Sequence, residues 1–171
     1  MTRERTIERS IRIDRPPERV WAVLTDLPAH RVWNPFIREI SGEIAVGRRL
    51  RVHIVPPGGR GMTFTPRVTA ASPGRELAWL GTLGMPRLFD GAHSFRLRPT
   101  GDGGTELTQA ETFRGLLVPL FGKGLAATAE GFELMNRTLK QRCERAGPDD
   151  ARPTPDDARP TQNHAGRRSG G

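Results

Sequence analysis

The stretch 121–144, FGKGLAATAEGFELMNRTLKQRCE, decides the fold of this chain. Its apolar and small residues recur at spacings of three and four, which is the period of one face of an α-helix. Gly124 and Gly131 each weaken an isolated helix by about 1 kcal/mol relative to alanine, so this helix depends on docking against the rest of the chain. The face expected to dock consists of Phe121, Leu125, Thr128, Phe132, Met135, Leu139 and Cys143.

The region before this helix has the pattern of antiparallel strands joined by tight turns. Clusters of glycine and proline at 56–59, 72–74 and 101–104 are turn signals. Between the turns, apolar and polar residues alternate, which is typical of strands with one buried face. The predicted strands are 6–13, 36–46, 48–55, 61–71, 75–83, 87–99 and 105–114.

Two short helices are predicted after the first strand. Two consecutive prolines, Pro16 and Pro17, stand at a helix start, where the first-turn N–H groups have no helical partner. A second short helical piece, 29–34, lies between Pro28 and Pro35. The predicted fold is therefore α+β, with a curved antiparallel sheet of about seven strands wrapped around one long C-terminal helix. One helix cannot fill the concave side of such a sheet, so a cavity is expected between them.

The last 25 residues differ in composition from everything before them. The heptapeptide PDDARPT at 148–154 is repeated at 155–161, and 147–171 contains no Val, Ile, Leu, Met or aromatic residue. Such a segment cannot offset the roughly 1–2 kcal/mol per residue of backbone ordering entropy. We expect a folded ligand-binding domain over 1–146 and a disordered, low-complexity tail over 147–171, which is either an unselected extension or a spacer or docking peptide.

The charge of the chain favours neither nucleic acid nor membrane as a partner. The net charge of +8 belongs to 1–146, because the tail holds four aspartates and four arginines. Arginines alternate with apolar residues, as in 49–52, which is typical of the solvent face of a strand. No nucleic-acid-binding signature occurs, and no run approaches the ~18 apolar residues of a membrane span. A polar N-terminus and a single cysteine favour a cytoplasmic protein.

The histidines and the cysteine indicate no metal site and no cofactor. His30, His53 and His93 lie on separate predicted elements, and Cys143 is the sole cysteine, which excludes a disulfide scaffold. We expect His30 and His53 to be solvated. Cys143 lies late in the helix, with no histidine near it in sequence, so a structural role is favoured over a nucleophilic one.

Five segments together resemble a known superfamily: IDRPPERVWAVLTDLPAHRVWNPFI (13–37), LAWLG (77–81), GAHSFRLRP (91–99), TELTQAETFRG (105–115) and FELMNRTLKQRCE (132–144). They are similar to the START-related, pollen-allergen-like helix-grip superfamily (SRPBCC), within it the polyketide cyclase/dehydrase and lipid-transport group. The resemblance spans 5–146. It implies a hydrophobic cavity between sheet and helix that accepts a small apolar or aromatic molecule. It does not settle function, because the superfamily includes carriers, receptors, cyclases and chaperone co-activators.

Three polar residues stand out on the face expected to line this cavity: His93, Gln109 and Glu111. They fall on strands predicted to pair across 101–104, so His93 and Glu111 are candidate neighbours. A carboxylate beside an imidazole suits general acid/base catalysis, although such pairs also serve structural hydrogen bonding. The candidate cavity residues are Trp33, Phe36, Phe64, Trp79, Phe89, Phe95, Gln109, Phe113, Phe132, Met135 and Leu139.

Three functions fit these patterns. The first is a binding module for a small hydrophobic or aromatic ligand, which requires a cavity of roughly 300 Å³ for a drug-sized molecule. The second is a polyketide cyclase/dehydrase-type enzyme that uses His93 and Glu111 as acid and base. The third is a protein-interaction or chaperone-associated module, in which the apolar segment 115–121 or the tail contacts a partner or forms a homodimer.

Overall fold

The structure is a computed structural model that describes residues 4–82, 90–115, 118 and 122–145. These residues form eight strands and three helices, together with a short 3-10 turn over Leu27–Ala29. In chain order the elements are β1 (Glu4–Ile13), α1 (Pro17–Thr25), α2 (His30–Trp33), β2 (Ile37–Gly42), β3 (Leu50–Ile54), β4 (Met62–Phe64), β5 (Arg67–Ser72), β6 (Glu76–Thr82), β7 (Asp90–Pro99), β8 (Thr105–Arg114) and α3 (Gly122–Arg145).

All strand pairs are antiparallel and fall into two sheets. The larger sheet has the order β1-β8-β7-β6-β5, and the smaller one has the order β2-β3-β4. Hairpin connections between strands that are neighbours in sequence explain most of this order. The first strand, β1, forms one edge of the larger sheet, where it pairs with the last strand, β8. The predicted antiparallel architecture, with a long C-terminal helix on the sheet and two short helices after the first strand, is confirmed.

The strand predicted over 61–71 is divided in the structure. It breaks at Thr65 and Pro66 into β4, which pairs with β3, and β5, which pairs with β6. Pro66 has no N–H to donate to a neighbouring strand, so a continuous ladder cannot run through it. A bridge between Arg49 and Arg67 joins the two sheets at this break, supported by a 2.9 Å hydrogen bond from the Leu50 N–H to the Pro66 carbonyl.

Helix α3 docks through the face that its periodicity predicted. Phe132, Met135, Leu139 and Cys143 have no solvent exposure, and Thr128 is also buried. The helix packs against β1 and α1. Phe121, the first residue of the predicted face, lies outside the described residues. Among the described helices, none has the length and apolar character needed to cross a membrane.

Polar contacts along one edge of α3 tie it to β1. The Arg9 guanidinium donates to the Glu133 carboxylate at 2.7 Å, and the Lys140 ammonium donates to the Arg12 carbonyl at 2.8 Å. The Glu144 carboxylate accepts from the Asp14 N–H at 2.8 Å. These bonds lie at the rim of the apolar contact, where each is worth little on its own. Together they set the position of the helix along the strand.

Helix α3 makes a close contact with the residue that precedes β2. A Cβ placed on Gly131 would lie 2.3 Å from Cδ2 of Phe36, so only glycine lets this ring rest on the helix backbone. The same ring meets Phe132 edge to face, with centroids 5.6 Å apart. Gly131 weakens the isolated helix and in return allows its close docking.

His30 is buried, whereas we expected it to be solvated. It is 1% exposed, its Nε2 donates to the Leu24 carbonyl at 2.8 Å, and its Nδ1 accepts from the Asn34 amide at 3.1 Å. Burial lowers the pKa of His30, because the charged ring would lose its hydration. The sequence around His30 resembles a solvated helix start, and only the tertiary packing of α2 buries the ring.

We expect Gly131→Ala to destabilise the fold by about 1–3 kcal/mol, because its methyl group must displace the Phe36 ring. Gly124→Ala is the matched control on the same helix. A Cβ at Gly124 meets nothing within 4 Å, so alanine should stabilise the helix by up to about 1 kcal/mol. Urea unfolding of both variants measures the difference. Equal effects of the two substitutions would contradict this packing.

The buried His30 predicts a pH dependence of stability. Its folded-state pKa lies below the unfolded value of 6.5, so its contribution is complete above about pH 6.5. The contribution is lost as the pH falls toward the folded pKa, because the unfolded chain binds the proton more readily. His30→Gln should therefore lose less free energy of unfolding between pH 7.5 and pH 5 than the parent chain does. Equal losses in urea titrations at the two pH values would refute this.

Candidate functional site

A cavity of about 210 Å³ lies between the two sheets and the N-terminal half of α3. Strands of both sheets and the first turns of α3 contribute to its walls. Most of the side chains around it are apolar, and the described lining residues include neither lysine nor arginine. These residues are Phe36, Ile37, Val52, Ile54, Pro56, Met62, Thr63, Phe64, Trp79, Gly81, Thr82, Gly91, His93, Glu111, Phe113, Gly124, Leu125 and Thr128.

Two glycines make room in the cavity wall. Gly81 on β6 pairs directly with Gly91 on β7, and both line the cavity. A Cβ on Gly91 would lie 2.6 Å from Oε1 of Glu111, and one on Gly81 would lie 3.3 Å from the Phe64 ring. Glycine within a strand costs roughly 0.5–1 kcal/mol relative to alanine. At this pair the gain is space for the Glu111 carboxylate and the Phe64 ring.

His93 and Glu111 stand opposite each other on β7 and β8. The distance between His93 Nδ1 and Glu111 Oε2 is 3.5 Å. The His93 side chain is 4% exposed and that of Glu111 is 15% exposed, and both line the cavity. The pair is therefore held in a largely apolar, water-poor site, where a polar contact is stronger than it is at the surface.

Gln109 and three aromatic rings fix the orientation of His93. The Gln109 amide nitrogen lies 3.3 Å from His93 Nε2. An amide nitrogen can only donate, so in this amide orientation Nε2 accepts and the ring proton sits on Nδ1, facing Glu111, while the buried Gln109 amide oxygen has no partner among the described residues. Trp79 stacks on the imidazole with centroids 4.8 Å apart, and Phe132 meets it edge to face at 5.1 Å. Both ring nitrogens of His93 thus have partners within the protein.

Some of the predicted cavity residues line the cavity, others lie in the adjoining core, and two belong to neither set. Phe36, Phe64, Trp79 and Phe113 line the cavity together with His93 and Glu111. The second group lies in the adjoining packed core, because only the first turns of α3 face the cavity and its later turns pack on the sheet. This core group is Phe95, Gln109, Phe132, Met135 and Leu139.

Trp33 lies elsewhere, and Phe89 lies outside the described residues. Trp33 lines an open groove between the two short helices and the C-terminal half of α3. The residue that follows it, Asn34, is buried and accepts hydrogen bonds from the N–H groups of Phe36 and Ile37, at 3.0 and 2.9 Å. This side chain stabilises the turn that directs Phe36 into the cavity and Trp33 away from it.

Sequence reasoning missed several lining residues. Val52 and Ile54 on β3, and Met62 on β4, belong to the apolar faces predicted for those strands, so their alternation was an available signal. Gly81 and Gly91 carried no such signal, because a glycine within a strand does not reveal whether it serves a bulge, a bend or a neighbouring side chain.

The remaining titratable candidates lie away from the cavity. Cys143 is fully buried, and burial raises the pKa of its thiol to about 12, so no reactive thiolate forms near neutral pH. His53 is partly buried, and its Nδ1 bonds the Thr63 hydroxyl at 2.8 Å. Within the described part of the chain, no three His, Cys, Asp or Glu side chains are grouped to hold a metal ion.

Solved structures of low sequence identity share this fold. Protein MLL2253 from Mesorhizobium loti is 24% identical, with a TM-score of 0.66 over 84% of this chain and 99% of its own. The Zhui aromatase/cyclase from a Streptomyces species is 18% identical, with a TM-score of 0.69 over 84% of this chain and 95% of its own. A START superfamily protein from Mycobacterium smegmatis is 20% identical, with a TM-score of 0.62 over 81% and 97% of the two chains.

The sequence itself identifies the family. No match was found among curated protein sequences. The sequence profile of the family described as polyketide cyclase/dehydrase and lipid transport matches residues 4–144, which include both sheets and nearly all of α3. The chain belongs to the polyketide cyclase/dehydrase and lipid transport family.

Proposed function

We propose that this protein binds a small hydrophobic or aromatic molecule in the cavity between the sheets and α3. The observation that carries the proposal is the cavity itself, since the described lining side chains leave an apolar space of about 210 Å³ unfilled between the sheets and α3. Paired glycines in its wall make room for the Glu111 carboxylate and the Phe64 ring at a cost in strand stability. A fold selected only for stability would fill this space.

The volume limits the size of the ligand. Pockets for drug-sized molecules measure about 300–1,000 Å³, and an apolar cavity of about 150 Å³ holds benzene. The cavity of about 210 Å³ therefore suits a molecule of one or two rings, or a short acyl chain. The cavity is smaller than the roughly 300 Å³ required above for a drug-sized ligand, so that expectation is wrong, and the proposal is for a smaller molecule.

A second candidate function is a cyclase/dehydrase-type reaction that uses His93 and Glu111 as acid and base. The observation that favours it is their 3.5 Å separation at the wall of an apolar cavity. Apolar surroundings strengthen the interaction of such a pair with a reacting C–H or hydroxyl group. The Zhui aromatase/cyclase has a similar structure, and it supports this candidate only through its likeness of fold.

Tryptophan fluorescence tests the binding site. Trp79 is 3% exposed and lines the cavity, so a ligand in van der Waals contact with its indole should change its emission. We expect titration with naphthalene to change the emission of the parent chain and to leave that of Trp79→Phe unchanged.

Trp21→Phe is the matched control. Trp21 lies in an open groove formed by α1 and β2, away from the cavity, so this variant should keep the full response. A response that survives in Trp79→Phe and disappears in Trp21→Phe would place the ligand in that groove and refute the proposed site.

A further inference from the structure

We infer that Glu111 is the group that contacts the ligand and that His93 and Gln109 are its positioning residues. On this basis the cavity selects an uncharged or cationic ligand that carries a hydrogen-bond donor, and it excludes acids. The inference rests on the proposed function, because it names the chemical class of ligand for the same cavity.

The His93 ring is already engaged by its protein neighbours. Its Nε2 accepts from Gln109, its Nδ1 faces Glu111, and one of its faces is covered by the Trp79 indole. A ligand in the cavity therefore meets no free nitrogen on this ring. The sequence pattern made His93 the candidate base, and the hydrogen-bond arrangement transfers the contacting role to its partner.

The two carboxylate oxygens of Glu111 have different surroundings. Its Oε2 faces His93, whereas its Oε1 lies above Gly91, a lining residue whose missing side chain leaves room for that oxygen. The hydrogen bond of Glu111 to His93 uses Oε2, and none of the other hydrogen bonds among the described residues involves Oε1. The Glu111 side chain is 15% exposed, so Oε1 is accessible and can accept a hydrogen bond from a ligand that enters the cavity.

The other polar groups of the wall have less to offer. The Thr63 hydroxyl bonds His53 at 2.8 Å, and the Thr128 hydroxyl donates to the Gly124 carbonyl at 2.9 Å. Thr82 is exposed to solvent at the end of β6. Glu111 is therefore the main polar recognition group among the described lining residues.

The charge of the described cavity wall disfavours an acidic ligand. The described wall holds the Glu111 carboxylate and no lysine or arginine. A ligand carboxylate would have to lose its hydration without gaining a cation, and it would also face a like charge. A hydroxyl or an amine would instead form a charge-assisted hydrogen bond with Glu111, which is the stronger kind.

Gln109 sets the direction of the Glu111 contact. It is fully buried, and its amide nitrogen lies 3.6 Å from the Met135 sulfur as well as 3.3 Å from His93 Nε2. This donor holds the ring proton on Nδ1, where it can bond Oε2 and leave Oε1 for the ligand. Without the Gln109 amide, the His93 ring proton would no longer be held on Nδ1, and the Glu111 carboxylate would lose its fixed orientation. The apolar walls of the cavity would stay the same.

The test compares three probes of the same ring size by calorimetric titration of the full chain at pH 7.5: naphthalene, 2-naphthol and 2-naphthoate. Hydrogen bonds to charged groups are worth enough to change affinity about tenfold or more. We expect 2-naphthol to bind about tenfold more tightly than naphthalene, and 2-naphthoate to bind more weakly than either.

Variants assign the selectivity to its residues. Glu111→Gln should reduce the preference for 2-naphthol over naphthalene and should weaken the discrimination against 2-naphthoate. Glu106→Gln, on the exposed face of the same strand, is the matched control and should keep both ratios. Gln109→Met should reduce the 2-naphthol preference and move the ¹⁵N signals of the His93 ring away from those of the Nδ1–H tautomer.

The outcomes separate the two proposals. If no probe binds the parent chain, the proposed function fails and this inference fails with it. If all three probes bind equally, or if 2-naphthoate binds most tightly, the binding function stands and the role of Glu111 is overturned. The ranking of probes on the parent chain decides this even where a variant does not fold.

Discussion

The contact between the Phe36 ring and the backbone of Gly131 is the constraint on which the rest of the structure depends. One helix has to cover the apolar face of two joined sheets, and it can approach them closely only where a side chain is missing. At and beyond this contact, α3 packs with Phe132, Met135 and Leu139 fully buried. Before it, the turn that contains Gly124 and Thr128 faces an open volume. The tight contact and the cavity thus lie next to each other along α3.

The polar groups of the site follow from the same geometry. Antiparallel pairing across the 100–104 turn brings His93 opposite Glu111 and places Gln109 beside the same ring. The core surrounds the imidazole with aromatic rings, while the paired glycines leave the carboxylate oxygen at the cavity wall. The series of polar contacts from Gln109 through His93 to Glu111 ends at the apolar cavity, so the Glu111 carboxylate is the acceptor that meets a molecule bound there.

Much of this arrangement could be predicted from sequence, because it depends on local periods and symmetric turns. The spacing of three and four residues identified the buried face of α3, and the turn at 101–104 fixed the pairing that makes His93 and Glu111 neighbours. The burial of His30 and the position of the cavity along α3 depend on contacts between elements distant in sequence, and no pattern near those residues carried that information. The division of a strand at Pro66 had a local signal, because proline cannot donate to a strand ladder.

The central claim is that the cavity is a ligand site and not an incidental packing defect. Native mass spectrometry of the purified full chain, followed by extraction and analysis of any bound molecule, tests it most directly. The account predicts a bound species that leaves on gentle activation and proves to be an apolar molecule of one or two rings or a short chain, with a hydroxyl or amine group. A chain that carries no such molecule, and that keeps its bare mass when 2-naphthol and naphthalene are added in excess, would contradict it.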